Sequence, residues 1–105
     1  MKKVLFLMVA LAAVAFGADA EVANQTLKAY SMIAAGVGLG LAALGGAIGM
    51  GSTAAATIAG TARNPGLGGK LMTTMFIALA MIEAQVIYTL VIALIALYAN
   101  PYLAA

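Results

Sequence analysis

The sequence contains no cysteine, no histidine and no tryptophan, and charge is scarce: five basic and three acidic residues in 105. Without cysteine there is no disulfide framework, thiol nucleophile or thiolate metal site. Without histidine, the usual general base, the usual transition-metal ligand and any serine–histidine triad are gone. The formal net charge of +2 comes from scattered residues and leaves no footprint for nucleic acid. A soluble domain carries roughly 25% charged and 45–50% apolar residues. Here the fractions are 8% and 66%. A folded chain of this length must cover a large surface with groups that water tolerates, and so few charges do not suffice. A soluble globular domain is excluded, and an integral membrane protein is implied.

What is present is organised in blocks. Lys2 and Lys3 precede an apolar run, Val4 to Phe16, and Ala18-Asp19-Ala20 has the small-x-small pattern of a cleavage site. Residues 1–20 therefore read as a cleaved signal peptide, with Glu21 as the mature N-terminus outside the cytoplasm. The alternative is a short uncleaved anchor, although the run is too short for a bilayer about 30 Å thick. A short polar periplasmic segment, 21–28, leads into an apolar stretch over 29–62, about 51 Å long as a helix. The break Arg63-Asn64-Pro65-Gly66-Leu67-Gly68-Gly69-Lys70 follows. Proline restricts the residue before it and glycine supplies turn conformations, so 63–70 is expected to be a polar loop. A second helix is expected over 71–99, its apolar run Leu71 to Tyr98 ended by Asn100-Pro101, with 100–105 as a periplasmic tail.

Both apolar segments exceed the ~20 residues that span a bilayer. Backbone groups in lipid must be satisfied within the segment, so both are predicted as helices. The short connection makes them antiparallel neighbours. The expected fold is an all-α membrane protein, a two-helix transmembrane hairpin. The loop carries Arg63 and Lys70 and no acid, whereas Lys28 is offset by Glu21. The positive-inside rule places the loop in the cytoplasm, the same topology that the leader implies.

The two helices differ in chemistry. Gly36, Gly38, Gly40, Gly45, Gly46, Gly49 and Gly51 crowd the first, and the apolar run of the second has no glycine. Each glycine weakens a helix by about 0.8–1.0 kcal/mol relative to alanine, so the cluster needs a packing reason. Two-residue steps turn by about 200°, which places small residues on opposing flanks. Such a helix fits the crowded inner layer of a closed ring with the bulky second helix outside. A generic small-residue bundle interface is the alternative.

Glu83 is the only Asp, Glu, Lys or Arg within either apolar run. A charge at that depth costs about 2.5–3.5 kcal/mol on insertion scales, so the resting form is a neutral, protonated carboxyl. Intramembrane acids mark ion pathways. The functional reading is ion translocation by reversible protonation, the alternative a structural Glu bonded to a helix neighbour. Counting outward from the loop puts Met50, between Gly49 and Gly51, level with Glu83. The nearest polar side chains on the second helix are Tyr88, about 140° around from Glu83, and Gln85, about 200° around. Gln85 reads as an interhelical hydrogen bonder or a group facing a partner.

These residues resemble a family. The glycine run Gly45-Gly46-Ala47-Ile48-Gly49-Met50-Gly51, the loop Ala62-Arg63-Asn64-Pro65, the segment Ala80-Met81-Ile82-Glu83-Ala84 and the tail Leu94-Ile95-Ala96-Leu97-Tyr98-Ala99-Asn100-Pro101 are similar to those of the F-type ATP synthase c subunits, the membrane-rotor proteolipids. The likeness covers about Ala29 to Tyr102. It implies a homo-oligomeric ring of hairpins in a bacterial inner membrane, with Gly45, Gly49 and Gly51 in ring packing. Glu83 would be the proton-binding residue, lined by Gly49, Met50, Gly51, Met81, Ala84 and Tyr88. An arginine of the synthase's a subunit would supply the counter-charge. Arg63, Asn64 and Pro65 would contact the central stalk, gamma and epsilon. Where the family often has Gln, this loop has Asn64. The resemblance implies a non-catalytic component surrounded by lipid, with no catalytic residue, metal or cofactor of its own. Sodium-coupled members resemble one another in a Gln on the first helix and a Ser or Thr just after the acid. Met50 and Ala84 stand there, so proton coupling is expected. The rival readings are a sodium-coupled rotor component and a structural or pore-forming hairpin.

Overall fold

The computed structural model describes residues 1–103, with Phe16 and Ala18 in backbone only. Ala104 and Ala105 of the expected tail, and the side chain of Ala18 at the expected cleavage site, lie outside the described residues. Helix α1 spans Lys2–Arg63, a short 3-10 turn covers Pro65–Leu67, helix α2 spans Gly68–Tyr98, and a second 3-10 turn covers Pro101–Leu103. Both helices are long and apolar enough to cross a membrane.

α1 begins well before the predicted start of the first helix. It runs without a break through the leader and the polar segment 21–28. The physical reason lies in composition. No proline occurs before Pro65 and no glycine lies between Gly17 and Gly36, so nothing ends the helix there. Within that segment the Gln25 amide donates to Glu21 Oε1 one turn earlier at 3.0 Å. The molecule is 94 Å long and 16 by 10 Å across, close to the ~93 Å of a straight helix as long as α1. α2 is about half that length, so it pairs with the second half of α1 and leaves the first half projecting.

The connection is tighter than predicted. Asn64 leaves the helix at φ −141°, ψ 86°, as the residue before a proline does. Its N–H still donates to the Gly60 carbonyl at 3.0 Å, and Leu67 N–H donates to the Asn64 carbonyl at 3.1 Å. Residues 68–70, expected in the loop, form the first turn of α2. No described residue, glycine included, has a positive φ. The loop glycines are therefore not needed for left-handed backbone. Gly68 serves close approach: a Cβ there would lie 3.0 Å from Thr61 Cγ2.

α1 and α2 meet along one seam that pairs small residues with branched ones. Gly60 faces Leu71, Gly49 faces Ile82 and Gly46 faces Val86. At the open end the Asn100 side-chain amide donates to Ser31 Oγ at 3.0 Å, while Asn100 Oδ1 accepts from Tyr102 N–H at 3.0 Å. This clasp ties the last turn to α1 and satisfies Ser31, which is buried. Among the described residues, the seam is the whole interior. Ala35 and Ala93, each 6% exposed, are the buried apolar residues, and no large side chain is fully enclosed among the described residues. A hairpin this apolar with so little core is completed by lipid and by other protein surfaces.

Candidate functional site

The seam fixes the direction of Glu83. Ile82 and Val86 point at α1, against Gly49 and Gly46. Glu83 follows Ile82 by about 100° and precedes Val86 by three residues, so its side chain leaves α2 about 80° to one side of the contact line. It lies exposed on that flank. There it borders a shallow groove of about 200 Å³ lined by Ala43, Gly46, Ala47 and Met50 of α1 and by Val86. Glu83 is the only lining residue with a polar side chain. Gly46, where a Cβ would meet Val86 Cγ2 at 2.8 Å, lets the two helices close together beside the groove.

Of the residues expected to line the site, Met50 shares the groove with Glu83. The others are placed elsewhere within one hairpin. Gly49 lies on the seam, where a Cβ would be 3.3 Å from Ile82 Cδ1. Gly51 has nothing within 4 Å of that position, because it points away from α2. Met81 and Tyr88, 70% and 68% exposed, lie seven residues apart on one face of α2, about 120–140° round from the contact line on the side away from Glu83. Ala84 is partly covered and does not border the groove. The cause is rotation: two or five residues along a helix lead away from a given face.

Ala43, Gly46, Ala47 and Val86 line the groove without having been expected to. A signal for them exists in the sequence. Counting back from Met50 by three, four and seven gives Ala47, Gly46 and Ala43, and counting on from Glu83 by three gives Val86.

The loop end carries a second group. Arg63, Asn64, Pro65 and Lys70 are all exposed at the tip. Arg63 is in the last turn of α1, where a cation is favoured by the helix dipole. Between tip and groove, the hydroxyls of Thr57 and Thr61 donate to the carbonyls of Thr53 and Thr57 at 2.9 Å. Both are satisfied within α1, so neither hydroxyl needs a partner from α2.

The fold and this site define a class: a membrane-spanning helical hairpin with a single acid at the middle of its second helix. Residues 33–96 match the family model of the ATP synthase C subunit. The chain is 88% identical over 103 residues to the ATP synthase c subunit of Sulfurimonas denitrificans, a match covering 98% of this chain and 99% of that one. It is 81% identical over 103 residues to the proteins of the same name from Aliarcobacter butzleri and Campylobacter fetus, with the same coverage in each. The chain belongs to the family of ATP synthase c subunits.

Proposed function

We propose that this hairpin is one of the identical subunits of the rotor ring of an F-type ATP synthase, and that Glu83 carries one proton per hairpin around that ring. The observation that carries the reading is the placement of Glu83. The one acid in an apolar span opens sideways onto a groove with no other polar side chain. Neutral Glu83 crosses the lipid-facing part of the cycle at small cost, and the carboxylate does not. Rotation toward lipid then follows only after protonation. Beside the arginine of the a subunit the carboxylate is stabilised and releases its proton. Each charge moved through the potential adds about 2.3 kcal/mol per 100 mV. The chain works without catalytic residues of its own, and ATP chemistry occurs elsewhere in the complex.

The ring is supported by the glycines that the hairpin leaves unused. Gly36, Gly38, Gly40, Gly45 and Gly51 have nothing within 4 Å of where a Cβ would stand, so one hairpin gives no reason for them. Neighbouring hairpins supply it. Gly45 and Gly51 keep the ring-packing role, while Gly49 serves the seam with Ile82. The exposed tip Arg63-Asn64-Pro65 contacts gamma and epsilon on the cytoplasmic side, and both mature termini lie in the periplasm.

Sodium requires several oxygen ligands to replace its water, and a proton requires one carboxyl. Met50 in the groove and Ala84 beside Glu83 offer no side-chain oxygen. In the intact complex a hydrophobic carbodiimide is expected to modify Glu83 and stop ATP-driven proton pumping. Added Na⁺ at constant pH is expected to leave the labelling rate unchanged. Protection by Na⁺ would assign sodium coupling instead.

Residues 1–20 are proposed to be removed. The helix of the uncut chain continues through them, the side chains described there are exposed, and α2 pairs with the other half of α1, so cutting after Ala20 removes no part of the seam. Edman sequencing of the mature protein is expected to begin at Glu21. A sequence beginning at Met1 would show a retained anchor.

A further inference from the structure

Far from Glu83, at the open end of the hairpin, lies a groove of about 390 Å³ lined by Lys28 and Met32 of α1, Leu97 and Tyr98 of α2, and Leu103 of the last turn. Its volume falls in the range of small-molecule sites, about 300–1,000 Å³. Hydrogen bonds hold its walls. Leu103 N–H donates to the Asn100 carbonyl at 3.1 Å. The Asn100 side-chain amide is tied to Ser31, a further lining residue. Ser31 Oγ accepts that bond and keeps its own O–H to donate.

The chemistry of this end is that of a membrane boundary. Lys28 is the one charged residue lining the groove, and it is exposed. The acidic residues of the chain are Asp19, Glu21 and Glu83. The nearest in sequence, Glu21, stands about 10.5 Å further out along α1 and accepts a hydrogen bond from Gln25. Among the described residues, then, no acid stands beside Lys28. Three of the four tyrosines, Tyr30, Tyr98 and Tyr102, gather at this end and are exposed. Tyrosine is enriched where membrane meets water. Below this level the groove wall is apolar, with Met32 and Leu97.

We infer that this groove holds an anionic phospholipid of the surrounding membrane, its phosphate at Lys28 and the start of an acyl chain along Met32 and Leu97. A lysine lays its methylene stem on apolar surface and keeps its ammonium at the polar boundary, where the phosphate lies. Basic pockets between transmembrane helices take anionic headgroups in this way. A free phosphate would leave the apolar wall uncovered. A second copy in a ring stands at the same height, so its Glu21 is also about 10.5 Å further out and gives Lys28 no counter-charge. The site belongs to one hairpin in its membrane and does not depend on which ion Glu83 carries.

The test uses the intact complex in phosphatidylcholine vesicles that contain a trace of phosphatidylglycerol with a photoreactive group on its acyl chain, close to the glycerol. Illumination is expected to label Met32 and Leu97. Unlabelled phosphatidylglycerol is expected to displace the probe, and added phosphatidylcholine or inorganic phosphate is not. Equal displacement by phosphatidylcholine would overturn the anionic requirement, and protection by inorganic phosphate would make this a free-anion site. Lys28→Gln is expected to lower labelling about five-fold, the factor that one lysine contributes at an anionic surface. Lys28→Arg is expected to keep it. Met32→Trp fills the groove and leaves the charge in place, and labelling of Leu97 is expected to fall. Undiminished labelling of Leu97 in that variant would show a lysine that attracts lipid without a groove, and would overturn the proposal. So would the absence of any label at Met32 and Leu97 in the unaltered complex, which would mean that protein fills the groove.

Discussion

Replacing Glu83 by Gln is expected to abolish proton-driven ATP synthesis and ATP-driven proton uptake, both to the background of membranes lacking the complex, with the ring still assembled. Gln matches Glu in size and is neutral, as the loaded carboxyl is, so the cost of keeping it in lipid stays small. The side chain lies on an exposed flank outside the seam, and the hairpin loses no packing. What Gln cannot do is ionise. The groove holds no second acid to take over, since its remaining walls are Ala43, Gly46, Ala47, Met50 and Val86. Assembly is read from ring yield in mild detergent and transport from pH-gradient formation in inverted vesicles. Glu83→Asp separates position from charge: it keeps the acid but withdraws it by one methylene, and partial transport is expected. Retention of synthesis by the Gln variant would remove Glu83 from the ion path.

Much of this site was legible in the sequence because a membrane admits so few exceptions. A lone acid in an apolar run stands out by composition, and two prolines mark both ends of α2. The depth match of Met50 with Glu83 follows from counting outward from the loop, because antiparallel helices rise equally per residue. Direction around the helix was harder to read. Gly45 and Gly49 are the same residue type four positions apart, and only the contact with Ile82 reveals that Gly49 belongs to the seam while Gly45 is open. The same gap explains Met81 and Tyr88, which sit near Glu83 in sequence and on another face in the hairpin. The start of α1 was hidden for a different reason. A signal sequence and a membrane helix share one composition, and the polar residues between them are themselves tolerant of helix.

The seam makes the second large prediction. Gly46→Val is expected to prevent stable closure of the hairpin and to reduce ring yield to a small fraction of normal. A Cβ at Gly46 would stand 2.8 Å from Val86 Cγ2, closer than non-bonded carbons approach. Val86 is β-branched and holds essentially one side-chain rotamer in a helix, so it cannot swing aside. Overpacking of this kind costs about 1–3 kcal/mol for small additions and more for larger ones. Alanine at Gly46 introduces the same clash but gains about 0.8–1.0 kcal/mol of helix propensity. Gly46→Ala is therefore expected to lower the ring's dissociation temperature modestly, where Val abolishes assembly. The control is compensation: Gly46→Ala combined with Val86→Ala removes the branch that the new methyl meets. Neighbouring sites couple in this way, and the double variant is expected to regain ring yield that Gly46→Ala loses. Gly60→Ala faces Leu71 Cδ1 at 3.0 Å, the tip of a flexible side chain that can rotate away, and is expected to be milder. Normal ring yield from Gly46→Val would mean that α1 and α2 do not meet through Val86, and the direction assigned to Glu83 would fall with that contact.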